Sequence, residues 1–369
     1  YAGRMYVKSL VFENFRNIRS RSITFEKGLN LLCGENAQGK TNTIEAVSLC
    51  ALGRSSRSDR EKEMIASGKD FCRVCCNFES RYGEGRIDVI LVRSGKKSIS
   101  VNYVPITRLG ELMGYLNCVW FSPDELKLVK EGPQERRRFL DVDLCQTDKA
   151  YYYALVRYNK ILSQRNNLLK SGSGSLEMDT MLEIWDSQLA AEGVKLVTKR
   201  RAFVNKLAPE AEKTHLRLTD GKEAVSVRYV SQIEGETREE MTQSFRELLK
   251  KSREKDITLK YTAVGAQRDD IRMEIGGIDV RAFGSQGQQR TSALSLKLAE
   301  VSVFEEMTGD KPVLLLDDVL SELDKGRQKR LLAMGGETQT IITTTYLNEV
   351  NLPSEYSVYN VKEGRYYER

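Results

Sequence analysis

The clearest chemistry in this sequence lies in eight consecutive residues. Gly34-Glu35-Asn36-Ala37-Gln38-Gly39-Lys40-Thr41 fits the spacing GxxxxGK[ST], after a strand-like run at Leu29–Cys33 and before a stretch of helical periodicity. The glycines let successive backbone N–H groups curl around phosphates, and the helix N-terminus, opening through Asn42, adds partial positive charge. Lys40 is the group that reaches the β and γ phosphates, and the Thr41 hydroxyl is a Mg²⁺ ligand. A second ligand is expected from Val313-Leu314-Leu315-Leu316-Asp317-Asp318, an apolar strand that delivers acids at its C-terminal end. Asp317 is expected to hold Mg²⁺, and Asp318 to orient or deprotonate an attacking water. Gly284-Ser285-Gln286-Gly287-Gln288-Gln289-Arg290 precedes another apolar-faced helix. It reads either as a Ser-capped helix or as a second anion site at Ser285, Gly287 and Gln288. The latter could serve the same nucleotide only from another subunit, since each site heads its own helix.

These residues need an α/β frame. Alternating patterns predict strands over residues 5–12, 22–25 and 29–33, then an antiparallel meander over 71–78, 86–92 and 98–104 with turns at Tyr82-Gly83 and Ser94-Gly95. From residue 135 to about 207 the pattern is helical. One heptad stripe runs through Leu155, Leu162 and Leu169, and another through Leu182, Leu189, Leu196 and Phe203. Ser171-Gly172-Ser173-Gly174-Ser175 between them predicts the turn of a short helical hairpin. A further helix is expected over 238–253, strands at 257–261 and 271–275, a helix at 288–307, and a last strand at 340–343. The expected organisation is therefore a split head, 1–125 and 256–369, around a helical insertion at 126–255.

Composition narrows the class. The chain has 369 residues, with 58 Lys and Arg against 52 Asp and Glu, a net charge of +6 that permits a polyanionic partner. Its longest apolar runs fall far short of the ~18–20 residues that span a bilayer. Met5 is the expected natural start, and no signal core precedes it, so a cytoplasmic protein is expected. All seven Cys precede residue 146 without disulfide-like spacing, which fits a reducing compartment. Cys72, Cys75 and Cys76 lack a fourth zinc ligand, because the only His, His215, is remote in sequence.

The constellation resembles a family, the ATP-binding-cassette heads of the SMC class, and within it the RecF-like recombination mediators. The resemblance is carried by residues 10–17, 34–46 and 121–126, by Arg136-Arg137-Arg138-Phe139-Leu140-Asp141, by Arg268-Asp269-Asp270, and by 284–290 and 314–324. It covers nearly the whole chain. The most telling stretch is Asp317-Asp318-Val319-Leu320-Ser321-Glu322-Leu323-Asp324, where cassette ATPases in general put Glu after the first Asp. The resemblance implies an ABC/SMC-type P-loop ATPase head with mixed parallel and antiparallel sheets and an inserted helical domain. It also implies ATP-gated homodimerisation, with Ser285 touching the γ-phosphate in trans and Ser321 to Asp324 crossing the interface. Slow hydrolysis, DNA as ligand (duplex and duplex–single-strand junctions), and RecO, RecR and RecA as pathway partners follow from it. The Gln and His with which cassette ATPases often face the γ-phosphate are missing at Trp120-Phe121-Ser122-Pro123 and at Ile342-Thr343-Thr344-Thr345, which leaves Thr344 and Thr345 as candidates. Gln267 stands where RecF-like chains tend to have His.

Two basic clusters are candidate DNA-backbone contacts: Arg54, Arg57, Arg60 and Lys62, and Lys127, Lys130, Arg136, Arg137 and Arg138. A solvated face is the plain alternative for each. Two other functions compete with a DNA-linked ATPase: a clamp in which nucleotide is only structural, and the energy subunit of a transporter.

Overall fold

The computed structural model describes residues 3–55, 60–171, 176–334, 338–345 and 356–368. The Ser/Gly turn at 172–175 and Arg57 lie outside them. Contacts divide the chain into two units, residues 1–126 with 213–224 and 290–369, and residues 127–212 with 225–289.

In the first unit, β1 (Tyr6–Glu13), β2 (Ser22–Thr24), β4 (Phe71–Ser80), β5 (Gly83–Val92) and β6 (Ser98–Val101) form an antiparallel sheet in the order β2-β1-β4-β5-β6, with residues 104–105 on its edge. This is the meander that the alternation predicts. A second sheet holds the chemistry. β3 (Leu29–Cys33), β7 (Cys118–Phe121), β10 (Val313–Asp317) and β11 (Thr340–Thr344) lie parallel in the order β3-β11-β10-β7. Every residue of these four strands is buried, as expected for parallel strands covered on both faces. The strand expected to be last is not last. β12 (Tyr356–Lys362) adds parallel to β3, and β13 (Arg365–Glu368) closes that edge antiparallel. Helix α1 (Lys40–Leu52) follows β3 directly and ends on Gly53, whose φ of 65° suits glycine.

The second unit is mainly helical: α2 (Pro133–Thr147), α3 (Lys149–Ser171), most of α4 (Leu176–Thr219) and α5 (Arg238–Leu259), with β8 (Val225–Val230) paired antiparallel to β9 (Asp270–Ile275). Arg165 pairs with Asp186 and Arg157 with Glu192, so partner numbers fall as residue numbers rise, and α3 and α4 run antiparallel. The buried stripe on α3 is Tyr151, Tyr158, Arg165 and, of the expected leucines, Leu169; Leu155 and Leu162 are only half-buried. Polar ends make those large side chains buriable. The Tyr151 hydroxyl accepts from Arg200 Nε at 2.8 Å, and Arg165 donates to Asp186 (2.7 Å), Asp256 (2.8 Å) and Thr262 (2.8 Å).

The strand expected at 257–261 is instead the last turn of α5. Its reach past Arg253 follows from a capping box at Thr237 and Glu240, a buried face of Met241, Phe245, Leu249, Ser252 and Asp256, and the need of Arg165 for Asp256. Lys260, at φ 57°, terminates it. Residues 256–289 thus pack with the helical unit.

His215, the sole histidine, is buried where α4 re-enters the first unit. Its Nδ1 is 3.0 Å from Ser295 Oγ, and Glu223 lies 3.9 Å from Nε2. Burial pushes its pKa below the ordinary 6.5, Glu223 opposes that, and Arg327 adds to it. The folded state therefore prefers neutral imidazole, and this residue costs stability as pH falls below 6.5. The single imidazole resonance should titrate in NMR with a midpoint below 6.5; a midpoint at or above it would contradict the burial.

Candidate active site

The phosphate loop is shaped by its neighbours as much as by its own glycines. A Cβ on Gly34 would lie 2.2 Å from the Val361 carbonyl oxygen of β12, so that close approach admits only glycine. Ala37 and Gly39 have φ of 63° and 109°, which turn successive N–H groups to one side. Gly39 is the N-cap of α1 and supplies no side-chain acceptor, so the first-turn N–H groups remain for an anion. The loop is braced on two sides. Asn17 Nδ2 donates to Ala37 O at 2.9 Å, and the N–H groups of Glu363 and Gly364 donate to Gln38 Oε1 (2.5 Å) and Gln38 O (2.9 Å). Asn42 donates to Asn17 Oδ1 at 2.7 Å. The side chains of Gln38 and Asn42 therefore hold the loop in shape. Sequence reasoning missed Asn17 and the Glu363-Gly364 turn, which are remote in the chain.

Lys40 is buried, and its ammonium donates to the carbonyls of Gly34 and of Glu35, the latter at 2.9 Å. Burial lowers its pKa, against the opposing charge of Asp318. Such an ammonium gains from an arriving phosphate, which replaces weak carbonyl acceptors with a charged one. Thr41 Oγ1 donates to Asp317 Oδ1 at 2.8 Å, so loop and acid strand meet although 276 positions apart. Thr343 Oγ1 donates to the same oxygen at 2.6 Å and accepts from the Asp318 N–H at 2.9 Å. Asp318 sits at φ 52°, in the left-handed region where Asp is among the few tolerated residues, and the Ser321 hydroxyl donates to its carbonyl at 2.7 Å. Residues 36–42, Trp120, 122–124, Asp317, Asp318 and Thr343 line one cavity of about 390 Å³. Thr343 thus stands there instead of Thr344 or Thr345. The only signal for it was the run of threonines ending a strand beside the acid strand.

The donor set suits a hard cation. Thr41 and Asp317 present oxygen, and the described residues contain no group of three or more His, Cys, Asp or Glu that could hold a metal unaided. Mg²⁺ takes oxygen donors and is usually shared between one or two protein oxygens and substrate phosphates.

Ser285 belongs to the other unit and precedes α6 (Gln286–Thr308). Its hydroxyl accepts from the Gln288 N–H at 3.2 Å, while Gln288 Oε1 accepts from the Ser285 N–H at 2.9 Å, a reciprocal cap. Ser285 and Gly287 are exposed, and Gln288 is half-buried.

One of the proposed DNA contacts is overturned. Arg136 is 3% exposed, bonds both carboxylate oxygens of Asp270 (2.5 and 3.0 Å), and donates to the carbonyls of Leu128 and Glu131, so its guanidinium is buried and engaged within the protein. Arg137 is half-buried and donates to Asp269 O at 2.8 Å. These arginines knit α2 to β9. Arg138, Lys127 and Lys130 are exposed. Arg54, Arg60, Lys62, Arg93 and Lys97 share a cleft of about 840 Å³ with Glu61 and Glu63.

A family model of the RecF/RecN/SMC N-terminal domain matches residues 6–364. The DNA replication and repair protein RecF of Lachnoclostridium phytofermentans is 44% identical over 363 residues, 98% of this chain and 99% of that one. RecF of Clostridium acetobutylicum is 41% identical over 363 residues, again 98% and 99% of the two chains. A solved structure of the recombination mediator protein RecF-ATP in the RecFOR pathway superposes with a TM-score of 0.90 at 34% identity, covering 99% of this chain and 98% of that one. Among the described residues no helix is long and apolar enough to cross a membrane.

Proposed function

This chain belongs to the RecF/RecN/SMC N-terminal domain family, alongside the RecF DNA replication and repair proteins, and we propose that it is a DNA-linked ATPase whose working output is an ATP-gated homodimer. The observation that carries this reading is the meeting of Thr41, Asp317 and Thr343 beside Lys40 and Asp318 in one cavity. The backbone N–H groups of the loop and Lys40 bind the β and γ phosphates, and Asp318 holds the attacking water for in-line displacement. Thr41 and Asp317 would hold Mg²⁺, which supplies charge neutralisation between the β and γ phosphates. A neighbouring cleft of about 770 Å³, lined by Asn17, Arg19, Ser20, Ala37, Gln38 and Glu363, has the room and position for ribose and base.

Ser285, Gly287 and Gln288 meet the γ-phosphate from the second subunit, in keeping with the exposure of Ser285 and Gly287 at a helix head. ATP joins the subunits and slow hydrolysis releases them. DNA is held through its backbone without base readout, with Arg54, Arg60 and Arg138 as exposed contacts, at duplex and duplex–single-strand junctions. By family likeness its partners are RecO and RecR, and its output is loading of RecA at gaps in the cytoplasm.

Light-scattering mass with Mg²⁺ and ADP, ATP or a non-hydrolysable analogue tests the reading. Mass should double only with triphosphate, and ATP bound without any change in mass would overturn the dimer. Ser285→Arg should leave ATP binding by the monomer intact and abolish the doubling, because a bulky cation then replaces the serine at the partner's nucleotide. Loss of ATP binding in the same variant would place Ser285 in a structural role.

A further inference from the structure

The β12–β13 hairpin grips the helix that follows the phosphate loop as well as the loop itself. On β13 the Tyr366 hydroxyl lies 2.8 Å from Thr43 Oγ1, at the end of the first turn of α1. Thr43 is fully buried, and its own hydroxyl lies 3.2 Å from the carbonyl oxygen of Gly39, the N-cap of that helix. A carbonyl can only accept, so the single proton of the Thr43 hydroxyl goes to Gly39 and Tyr366 is the donor to Thr43. The bonds therefore run from Tyr366 through Thr43 to the last glycine of the loop. Burial raises the Tyr366 pKa above the ordinary 10.0, against the opposing bond to Thr43, and the donor keeps its proton.

The same hairpin holds the loop at its other end. Its turn donates two N–H groups to Gln38, from Glu363 to the side chain and from Gly364 to the carbonyl. The turn is itself anchored: the Gly364 carbonyl accepts from the N–H groups of Arg19 (2.7 Å) and Ser20 (3.0 Å), and Ser20 Oγ accepts from the Tyr366 N–H at 3.1 Å. Between Gln38 and Thr43 lie Gly39, Lys40, Thr41 and Asn42, the segment that presents the helix N-terminus, an ammonium and a hydroxyl to phosphate and Mg²⁺. Packing accounts for the Tyr366 ring, whose centroid is 6.2 Å from that of Phe12, and a phenylalanine would pack there as well. The hydroxyl is what packing leaves unexplained. Tyr366 lines neither the phosphate cavity nor the cleft beside it, so any effect on nucleotide passes through Thr43.

We propose that Tyr366 is a positioning residue for nucleotide binding: through Thr43 it fixes the helix end of the phosphate-binding segment, while the Glu363-Gly364 turn fixes the loop end. The proposal rests on the reading that this loop binds ATP. A segment released at one end samples conformers in which its N–H groups diverge, and affinity falls with the fraction of molecules left in the competent one. The ceiling on that loss is the net worth of one hydrogen bond, about 3-fold to 10-fold.

The test compares wild type with Tyr366→Phe, Thr43→Val, their double variant and Thr43→Ser. Affinities for ADP and ATP are read from Trp120 emission in a Trp185→Phe background, beside steady-state hydrolysis and thermal unfolding. Tyr366→Phe should weaken ADP and ATP by the same factor, about 3-fold to 10-fold, because the β-phosphate that both carry sits on the held segment. KM should rise with kcat unchanged, which marks lost binding rather than lost chemistry. Thr43→Ser keeps a hydroxyl and should bind as wild type does, and the double variant should lose no more than Thr43→Val alone. Wild-type affinity in Tyr366→Phe, whatever its melting temperature, would make the hydroxyl purely structural and overturn the proposal. A loss confined to ATP would overturn it by placing the effect at the γ-phosphate, and additive losses in the double variant would break the path through Thr43. A wild type that binds neither nucleotide would sink the reading of the loop itself and this inference with it.

Discussion

Lys40→Ala is expected to remove ATP binding from an otherwise folded chain. The wild-type ammonium is buried and spends its hydrogen bonds on the carbonyls of Gly34 and Glu35, acceptors that a triphosphate outcompetes. Losing charge-assisted bonds to two phosphate groups costs about 3 kcal/mol or more, a weakening of at least about 100-fold. Folding should survive, because the truncation removes a charge that burial disfavours, as the lowered pKa of Lys40 records. Trp120 lines the same cavity, and the other tryptophan, Trp185, lies on α4. In a Trp185→Phe background, ATP should therefore change Trp120 emission in the wild type and leave Lys40→Ala unmoved up to far higher concentrations. An unaltered affinity would remove the phosphate loop from the site.

How much of this site was legible in the sequence depends on how local each signal is. The loop, its strand and its helix are contiguous, and their pattern fixes their conformation, so residues 34–42 could be read directly. The pairing of Thr41 with Asp317 could be inferred only because an apolar strand ending in acids has few other uses in a chain with such a loop. Thr343 could not be read that way. Its strand is buried throughout, so its hydroxyl is indistinguishable in pattern from the apolar neighbours until the parallel register with Asp317 is known. Asn17 and the Glu363-Gly364 turn escaped for a related reason: a Cβ on Gly364 would lie 2.0 Å from the Asn17 carbonyl oxygen, a contact between segments that no periodicity encodes.

Two of the errors share a cause, which is that burial of charge was discounted. Arg136 was read as a phosphate contact because three adjacent arginines look like a solvated or DNA-facing run. Asp270, more than a hundred positions away, turns it into a buried strut. Arg165 hides a helical stripe in the same way. Its two carboxylate partners, Asp186 and Asp256, let a guanidinium occupy a core position, and Asp256 in turn extends α5 through a segment whose short alternation resembled a strand. The meander and the parallel strands were legible because their burial is apolar and obeys the period of two or the continuous run.

Asp318→Asn should separate binding from hydrolysis. The side chain leaves a backbone held at φ 52° by Thr343 and Ser321, and asparagine is the residue best able to keep that left-handed conformation without a carboxylate. Asp317, Thr41 and Lys40 are untouched, so ATP affinity should stay close to that of the wild type. Loss of a group that orients or deprotonates water lowers the rate about 100-fold or more. Since triphosphate joins the subunits and hydrolysis parts them, the variant should remain at doubled mass in ATP long after the wild type has returned to monomer. The two measurements discriminate between the accounts. Blocked turnover with a persistent dimer makes hydrolysis the release step, whereas blocked turnover with wild-type dissociation would mean that nucleotide exchange opens the dimer. Unchanged turnover would move the water-holding role off Asp318, leaving Asp317 and Thr343 as the polar groups at that wall of the cavity.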